Sequence, residues 1–263
     1  MNKPLETWDS ATAYEHWVGR WSRSVAGEFL IWLALSSRLT WADIGCGTGV
    51  LAACVLEKYE PEAVIGLDAS GAFVAQARDI VSDPKARFEI GDATNLPWET
   101  DTFDVAVSGL VLNFVPDHLT MICEMARITK PGGTVAAYVW DYAGGMQMMR
   151  YFWDAAIEVN PRDTQLDQAQ RFPLCQPEPL RDLFQRAGLQ SVKVRSIDIP
   201  TIFQDFDDYW VPFLGGQGAA PTYLASLEED VRQQIREVLR SRLASTPGTI
   251  ELSARAWAVR GTV

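Results

Sequence analysis

The stretch "WADIGCGTGV", Trp41–Val50, indicates how this chain folds. Its apolar half is typical of a buried strand, and the glycines at 45, 47 and 49 are typical of a tight loop that opens a helix. Because glycine has no Cβ, such a loop lets the backbone approach a ligand closely. The stretch therefore predicts a strand–loop–helix unit that cradles a small molecule.

Strand and helix patterns alternate on both sides of this loop. Strands are predicted over 39–45, 63–68, 86–92, 103–112 and 132–140, and helices over 48–59, 70–83 and 117–130. A helix over 178–189 and strands over 190–199 and 250–261 follow. Alternation of this kind predicts right-handed βαβ units. We expect an α/β fold with a doubly wound, mostly parallel seven-stranded sheet and a helical lid.

The chain is expected to form a single domain over 1–263. Residues 1–35 form an N-terminal helical cap, with an apolar stripe at three- and four-residue spacing that includes Trp21 and Phe29. Residues 36–141 form the ligand-binding core. The segments 142–172 and 201–249 interrupt the pattern and are predicted to be lid insertions that cap the substrate.

The glycine loop differs from the dinucleotide-binding pattern G-x-G-x-x-G, because its third glycine arrives one residue early. Asp43 stands two residues before the first glycine, where a buried carboxylate repels a pyrophosphate but suits a ligand's ammonium group. No Tyr-x-x-x-Lys pair follows the fourth or fifth strand. A nicotinamide oxidoreductase is therefore disfavoured.

Two further carboxylates follow predicted strands. Asp68 ends the second strand about twenty residues past the loop, where a carboxylate can accept both hydroxyls of a ribose. Asp92 follows the third strand, where it can accept a hydrogen bond from an adenine amine. Both lie at carboxyl ends of strands, the edge where open α/β sheets bind ligands.

Four ordered motifs give the chain a family resemblance over about residues 40–140. They are "ADIGCGTG", "VIGLDAS", "FEIGDATNLPWETDTFDVAVS" and "EMARITKPGGTVAAY". With these motifs the chain resembles the class I S-adenosylmethionine-dependent methyltransferases, which have a Rossmann-like fold, and within them the ubiquinone/menaquinone-biosynthesis type (methyltransferase type 11). The resemblance implies S-adenosyl-L-methionine as cofactor.

The resemblance also implies roles for individual residues. Gly45, Cys46, Gly47 and Gly49 would contact the methionine part, and Leu110 would lie near the sulfonium. Asp68, with Ala69 beside it, would hold the ribose, and Asp92 with Ala93 the adenine. In related enzymes the N-terminal segment folds over the cofactor. Arg20 is therefore the candidate for the methionine carboxylate, and Tyr14 and Trp17 the candidates for closing the pocket.

The methyl acceptor is expected to be a small, hydrophobic or aromatic metabolite bound under the lid. The candidate acceptor-binding residues are Trp17, Asn113, Tyr142, Met146 and Phe213. Methionine adapts to irregular apolar ligands, but a cluster such as Met146 to Trp153 is equally typical of plain core. The amino-methylating motif Asn-Pro-Pro-Tyr is absent after the fourth strand, which disfavours methylation of bases.

Catalysis does not require a dedicated acid or base, because the leaving group of methyl transfer is a neutral thioether. His118 is the candidate general base, and a helix-surface role is its alternative. No metal-ligand cluster stands out, so metal-dependent O-methylation is disfavoured. A non-catalytic cofactor-binding protein that retains the fold is the alternative function.

Composition and charge limit the partners. The formal net charge is −11, from 23 Lys and Arg against 34 Asp and Glu, and no basic stripe occurs. Nucleic acid is therefore a disfavoured partner. Four cysteines lack any CxxC spacing, and neither a signal peptide nor an apolar run of membrane-spanning length is seen. We expect a cytoplasmic protein without membrane association; the oligomeric state stays open.

Overall fold

The computed structural model describes residues 19–215, 218–243 and 248–263. Of the predicted N-terminal helical cap, helix α1 is described over Arg20–Leu33. The candidates Tyr14 and Trp17 lie outside the described residues.

Seven strands form one sheet. Their bounds are Thr40–Ile44 (β1), Ala63–Asp68 (β2), Ala86–Ile90 (β3), Phe103–Gly109 (β4), Thr129–Trp140 (β5), Gln190–Phe203 (β6) and Ile250–Thr262 (β7). The order across the sheet is β3-β2-β1-β4-β5-β7-β6. The first five strands in this order pair in parallel, and β5 pairs with β7 antiparallel. The predicted doubly wound, mostly parallel seven-stranded sheet is confirmed.

Helices alternate with strands for most of the chain up to β5. After β5, several helices follow one another before β6 and again before β7. Their bounds are Val50–Tyr59 (α2), Gly71–Ile80 (α3), His118–Ile128 (α4), Gln147–Val159 (α5), Gln168–Arg171 (α6), Pro177–Arg186 (α7), Phe206–Trp210 (α8), Ala219–Ser226 (α9) and Glu229–Leu243 (α10). Short 3-10 turns cover Leu112–Phe114, Pro161–Leu166 and Val211–Gly215. No helix among the described residues combines the length and apolar character needed to cross a bilayer.

The chain divides into two compact units. The sheet unit consists of Ser22–Trp140, Leu174–Ile197 and Ala256–Val263. The described part of the helical unit lies within Met1–Trp21, Asp141–Pro173 and Asp198–Arg255. Both segments predicted as lid insertions fall within the bounds of the helical unit, and their action as a lid stays a prediction.

Local signals explain where the helices of the sheet unit begin. The Asp117 side chain accepts a hydrogen bond from the Thr120 N–H at 3.0 Å, which caps α4. Ser70 caps α3 through a weaker contact with the Phe73 N–H at 3.4 Å. Helix α2 instead begins directly after the glycine loop, with Gly49 in a left-handed conformation.

The predicted end of the fourth strand is wrong. Strand β4 ends at Gly109 rather than continuing to residue 112. Leu110 adopts a φ of +62°, which breaks the extended backbone, and the 3-10 turn Leu112–Phe114 follows. The apolar run hides this turn, because the residues Leu110–Leu112 stay apolar after the strand has ended, although only Leu112 of the three is buried.

The predicted start of the fifth strand, at residue 132, is also different. Strand β5 already begins at Thr129, so Pro131, Gly132 and Gly133 lie within it. The pairing with β4 shifts register between Phe103 and Val105, and Gly132 has a φ of +80°. The three residues therefore form an irregularity inside a strand, where glycine supplies the left-handed conformation.

The helical unit has an aromatic core of its own. Phe152 stacks on Phe213 with ring centroids 4.6 Å apart, and the Tyr209 hydroxyl donates to the Met148 carbonyl oxygen at 2.9 Å. Arg150 is mostly buried and pairs with Asp167 at 2.9 Å. Aromatic stacking and this buried ion pair stabilise the helical unit, most of which contains no β-strand.

Candidate cofactor site

The glycine loop after β1 adopts the backbone that only glycine takes readily. Gly45, Gly47 and Gly49 have φ values of +75°, +52° and +84°. A Cβ on Gly45 would lie 2.5 Å from a Val111 methyl carbon, whereas a Cβ on Gly47 would meet nothing within 4 Å. The first glycine therefore permits close packing, and the second leaves open space beside the loop.

The Asp68 carboxylate is held against this loop. Its Oδ2 accepts a hydrogen bond from the Gly47 N–H at 2.9 Å, and its Oδ1 accepts one from the Ser70 N–H at 2.8 Å. A carboxylate has about four acceptor positions, so each oxygen keeps capacity for a further donor. The two backbone bonds therefore orient the carboxylate without exhausting it.

Asp92 orders the turn after β3. Its Oδ1 accepts hydrogen bonds from the N–H and the hydroxyl of Thr94, both at 2.8 Å. These bonds, the backbone bond first, lower the pKa of the exposed Asp92 carboxyl. Through Oδ1, Asp92 therefore caps the turn, a structural role that needs no ligand. Its Oδ2 has no partner among the described residues and is available to a ligand.

A groove of about 410 Å³ joins these elements within the sheet unit. Its walls include Gly45, Asp68, Ala69, Asp92, Ala93 and Val111. The structure therefore brings together five residues predicted from widely separated motifs. The wall formed by Val111 and Phe114 was not predicted, because the sequence pattern continues β4 through this region and hides the 3-10 turn that exposes them.

Asp43 is buried beneath the loop rather than in the groove wall. Its side chain is 1% exposed, and neither carboxylate oxygen has a hydrogen-bond partner within the described ranges. Burial raises the pKa of Asp43 to about 7, the nearby charge of Asp68 adds to the rise, and the Ala52 backbone N–H opposes it. Asp43 is thus poised between its neutral and charged forms near neutral pH.

Cys46 is also buried in the loop. Burial, followed by the negative charges of Asp43 and Asp68, raises the pKa of the Cys46 thiol. The thiol therefore stays protonated at neutral pH and is a poor nucleophile. Its predicted role is limited to contact with the cofactor.

Two further candidates, Asn113 and His118, are sequence neighbours of residues that line the groove. Asn113 is 6% exposed, and its Nδ2 has no partner in the part of the chain that the structure describes. His118 is the first residue of α4, and partial burial lowers the pKa of its imidazole. The imidazole is therefore neutral at pH 7, the form that accepts a proton. The roles of Asn113 in acceptor binding and of His118 as a base stay predictions.

The helical unit contains Arg20 and three of the predicted acceptor residues. The Arg20 guanidinium pairs through Nη1 with Asp208 at 2.9 Å, and lies 4.6 Å from the Trp21 ring centroid and 4.7 Å from that of Phe203. Its Nε and Nη2 are buried without a partner among the described residues. This free edge has the geometry that binds a carboxylate, and its role toward the cofactor stays a prediction.

Three predicted acceptor residues of the helical unit are described, and all three are buried within it. Tyr142 packs against Phe172 with ring centroids 5.5 Å apart, and Met146 is 1% exposed. Phe213 is completely buried. These positions suit both plain core and a pocket wall, so their contact with an acceptor stays a prediction, as does the contact of Leu110 with the sulfonium.

The residues present fit the cofactor that the motifs imply. Gly47, Asp68 and Asp92 lie at the carboxyl ends of β1, β2 and β3. Gly47 leaves open space there, Asp68 has spare acceptor positions, and Asp92 has a free carboxylate oxygen. A groove of this size lies within the range of small-molecule sites, about 300–1,000 Å³. No group of three or more metal-ligating side chains occurs in residues 19–215, 218–243 and 248–263.

Comparison with known proteins decides the family. Residues 42–137 match the family described as "Methyltransferase domain" (Methyltransf_11). The chain is 30% identical to a demethylmenaquinone methyltransferase of Shouchella clausii over 59% of its length and 72% of that protein. The chain belongs to the S-adenosylmethionine-dependent methyltransferases. The match covers the strand–loop–helix unit and the strands that carry the predicted carboxylates.

Two other similarities extend beyond this core. A trans-aconitate 2-methyltransferase of Deinococcus radiodurans is 27% identical over 78% of this chain and 79% of that protein. The phosphoethanolamine N-methyltransferase 2 of Haemonchus contortus, solved with S-adenosyl-L-methionine, is similar in fold with a TM-score of 0.55. It is 17% identical, and the superposition covers 89% of this chain and 52% of that one. This likeness shows the fold alone; membership of the family makes the chain an enzyme that uses S-adenosylmethionine.

Proposed function

We propose that this methyltransferase transfers a methyl group in line from S-adenosylmethionine to a small, hydrophobic or aromatic metabolite. The observation that carries the proposal is the groove in the sheet unit, where the glycine loop, Asp68 and Asp92 lie together. Family membership establishes the methyl donor, and the class of the methyl acceptor is what we propose in addition. Its apolar or aromatic character is supported by the buried apolar residues of the helical unit and by the demethylmenaquinone relative, whereas the trans-aconitate relative supports only a small molecule.

Each residue of the groove has a separate role in this proposal. Asp68 accepts the ribose hydroxyls, and Asp92 with Ala93 contacts the adenine. The loop from Gly45 to Gly49 faces the methionine part, Asp43 supplies negative charge near its ammonium group, and the free edge of Arg20 takes its carboxylate. Tyr14 and Trp17 are proposed to close the pocket.

The bound cofactor supplies a methyl group on a positively charged sulfur. The protein has to hold the acceptor atom in line with that group and to exclude water. Positioning of this kind lowers a barrier by roughly 7–11 kcal/mol, so a strong base is not required. Neutral His118 is available to take a proton from a hydroxyl acceptor, and Asn113 to orient it.

Thermal unfolding with added ligands tests the cofactor assignment. The full chain is heated alone, with S-adenosylmethionine, with S-adenosylhomocysteine and with NADH. A ligand at a hundred times its dissociation constant stabilises the native state by about 2.7 kcal/mol. We expect the two adenosyl-sulfur ligands to raise the melting temperature and NADH to leave it unchanged; stabilisation by NADH alone would contradict the proposal.

A methyl-transfer screen tests the acceptor class. The enzyme is incubated with S-adenosylmethionine carrying a labelled methyl group and with separate pools of aromatic, aliphatic and strongly polar metabolites. We expect label to enter the organic-extractable pools of apolar compounds. Incorporation only into strongly polar compounds would contradict the acceptor class while leaving the cofactor assignment intact.

A further inference from the structure

The buried carboxyl group of Asp43 has no partner that fixes its charge. The residue is 1% exposed, and neither carboxyl oxygen has a hydrogen-bond partner among the described residues. The strongest charge acting on it is the negative charge of Asp68, and no described cation pairs with it. Because a buried charge without a partner is costly, a positive charge brought into the neighbourhood changes the ionisation of this group.

The register of the sheet places Asp43 close beneath the ends of two strands. Asp43 pairs with Gly66 of β2 and with Val107 of β4. Two residues further along, β1 has passed into the glycine loop at Gly45, and β4 ends at Gly109. At about 3.3 Å per residue, the Asp43 backbone lies about 7 Å from the edge of the sheet where the cofactor is proposed to bind.

The titratable groups around Asp43 do not neutralise it. Asp68, at the end of β2, adds a second negative charge. The thiols of Cys46 in the loop and Cys54 in α2 also interact with Asp43, but burial raises the pKa of both, so they stay protonated. Helix α2 contributes the Ala52 backbone N–H. Asp43 is therefore the member of this cluster whose charge changes near neutral pH.

The methyl donor and its product differ by one positive charge. S-adenosylmethionine carries a sulfonium, an ammonium and a carboxylate, whereas S-adenosylhomocysteine has a neutral thioether in place of the sulfonium. An ionised buried carboxylate attracts a sulfonium over several ångströms, and salt screens this attraction less than it screens attraction at the surface. A neutral carboxyl group at the same position does not distinguish the two ligands by charge.

We propose that the charge of Asp43 sets the preference of the enzyme for S-adenosylmethionine over S-adenosylhomocysteine, and that binding of the methyl donor releases the Asp43 proton to solvent. The inference rests on the proposed cofactor site and deepens it, because it assigns Asp43 a role in specificity that acts through its field and needs no contact with the sulfur. Methyl transfer removes the sulfonium charge. The carboxylate then takes up a proton again, and the product is held less tightly than the donor.

Calorimetric titration of the full chain at two pH values tests the preference. The dissociation constants of both ligands are measured for the wild type and for Asp43→Asn, and the constant for S-adenosylhomocysteine is divided by that for S-adenosylmethionine. Dividing the wild-type ratio by the variant's ratio removes the titration of the ligands and of other groups, including His118. We expect this quotient to rise about threefold from pH 6 to pH 8, because Asp43 becomes charged over this range.

A count of released protons tests the coupling in the wild type alone. Titrations in phosphate and in imidazole buffer, which ionise with different heats, give the number of protons released on binding. At about pH 6.5 the amino groups of both ligands are mostly protonated, so the difference between the ligands reports on the protein. We expect S-adenosylmethionine to release about a third of a proton more than S-adenosylhomocysteine. Asp79→Asn, which changes an exposed carboxylate of α3, is the matched control and should behave as the wild type does.

The outcomes separate this inference from the cofactor assignment on which it rests. Binding of both ligands with equal proton release, or with a quotient that does not change with pH, would overturn the role of Asp43 and leave the cofactor assignment intact. Absence of binding by both ligands would overturn the cofactor assignment and this inference with it. If Asp43→Asn does not fold, the proton count in the wild type decides by itself.

Discussion

At the scale of single residues, Asp68 connects two parts of the cofactor groove. Its two oxygens accept backbone N–H groups from the glycine loop and from the turn after β2. The carboxylate is therefore oriented before any ligand arrives. Such preorganisation reduces the entropy that binding must otherwise remove.

Replacement of this carboxylate tests its role in ribose binding. Asp68→Ala should weaken S-adenosylhomocysteine binding by about 1.5–3 kcal/mol, the usual scale for hydrogen bonds to a charged group. Calorimetric titration measures the change. Asp79→Ala removes an exposed carboxylate of α3 and should leave the affinity unchanged. Equal affinity of Asp68→Ala and wild type would refute the ribose role.

The open space beside Gly47 gives a second prediction. Gly47→Val should abolish cofactor binding while the protein stays folded, because the added side chain enters space that no protein atom occupies. The left-handed φ adds strain of roughly 1–2 kcal/mol. Gly132→Val is the matched control, since Gly132 also has a positive φ and open space but lies in β5. Normal turnover in Gly47→Val would contradict the loop assignment.

The buried Asp43 carboxyl predicts a pH-dependent stability. Its pKa is about 7 in the folded protein, against 3.8 for the free group. Between these values the folded protein keeps a proton that the unfolded chain releases. Raising the pH therefore lowers the free energy of unfolding, and the loss is complete once the pH exceeds the folded pKa.

Asp43→Asn removes this titration. From pH 5 to pH 8 the wild type should lose about 2–3 kcal/mol of unfolding free energy more than the variant does. Urea unfolding of both proteins at several pH values measures the difference. Parallel stability profiles would show that Asp43 is ionised throughout and that its neighbourhood is more polar than its burial indicates.

At the scale of elements, α4 fixes the loop that follows Asp92. The Arg127 guanidinium donates to the carbonyl oxygens of Trp98 and Leu96, at 2.8 and 3.1 Å. Glu124 accepts from the same arginine and from the Leu96 N–H. These contacts satisfy backbone groups that a loop between β3 and β4 otherwise leaves to water.

Arg127→Met should therefore destabilise the fold. We expect the free energy of unfolding to fall by about 1–3 kcal/mol, because Glu124 loses its partner and two carbonyl oxygens lose charged donors. Urea unfolding measures it, with Arg186→Met as an exposed arginine that makes no such contacts. An unchanged midpoint in Arg127→Met would mean that water replaces the arginine at no cost.

At the scale of the whole molecule, charge limits the partners. The net charge of −11 opposes approach to a phosphate backbone. A labelled 20-base-pair DNA duplex at about 150 mM salt should show no change in fluorescence anisotropy on addition of the protein. Binding that weakens steeply as the salt concentration rises would reveal a basic surface that the composition hides.

The sequence by itself determined the fold class and five of the residues that line the groove in the sheet unit. The alternation of strands and helices, the glycine spacing and the acidic residues after β2 and β3 are local signals. Parallel strands carry the residues that follow them to the same edge of the sheet, so local signals sufficed to group Gly45, Asp68 and Asp92.

Only the tertiary structure decided features that depend on packing between distant segments. The end of β4 at Gly109 and the irregularity at Gly132 arise from backbone conformations that an apolar pattern does not encode. The pairing of Arg20 with Asp208 joins residues 188 positions apart. The raised pKa of Asp43 results from burial by several elements, because the cost of a charge depends on everything that excludes water from it.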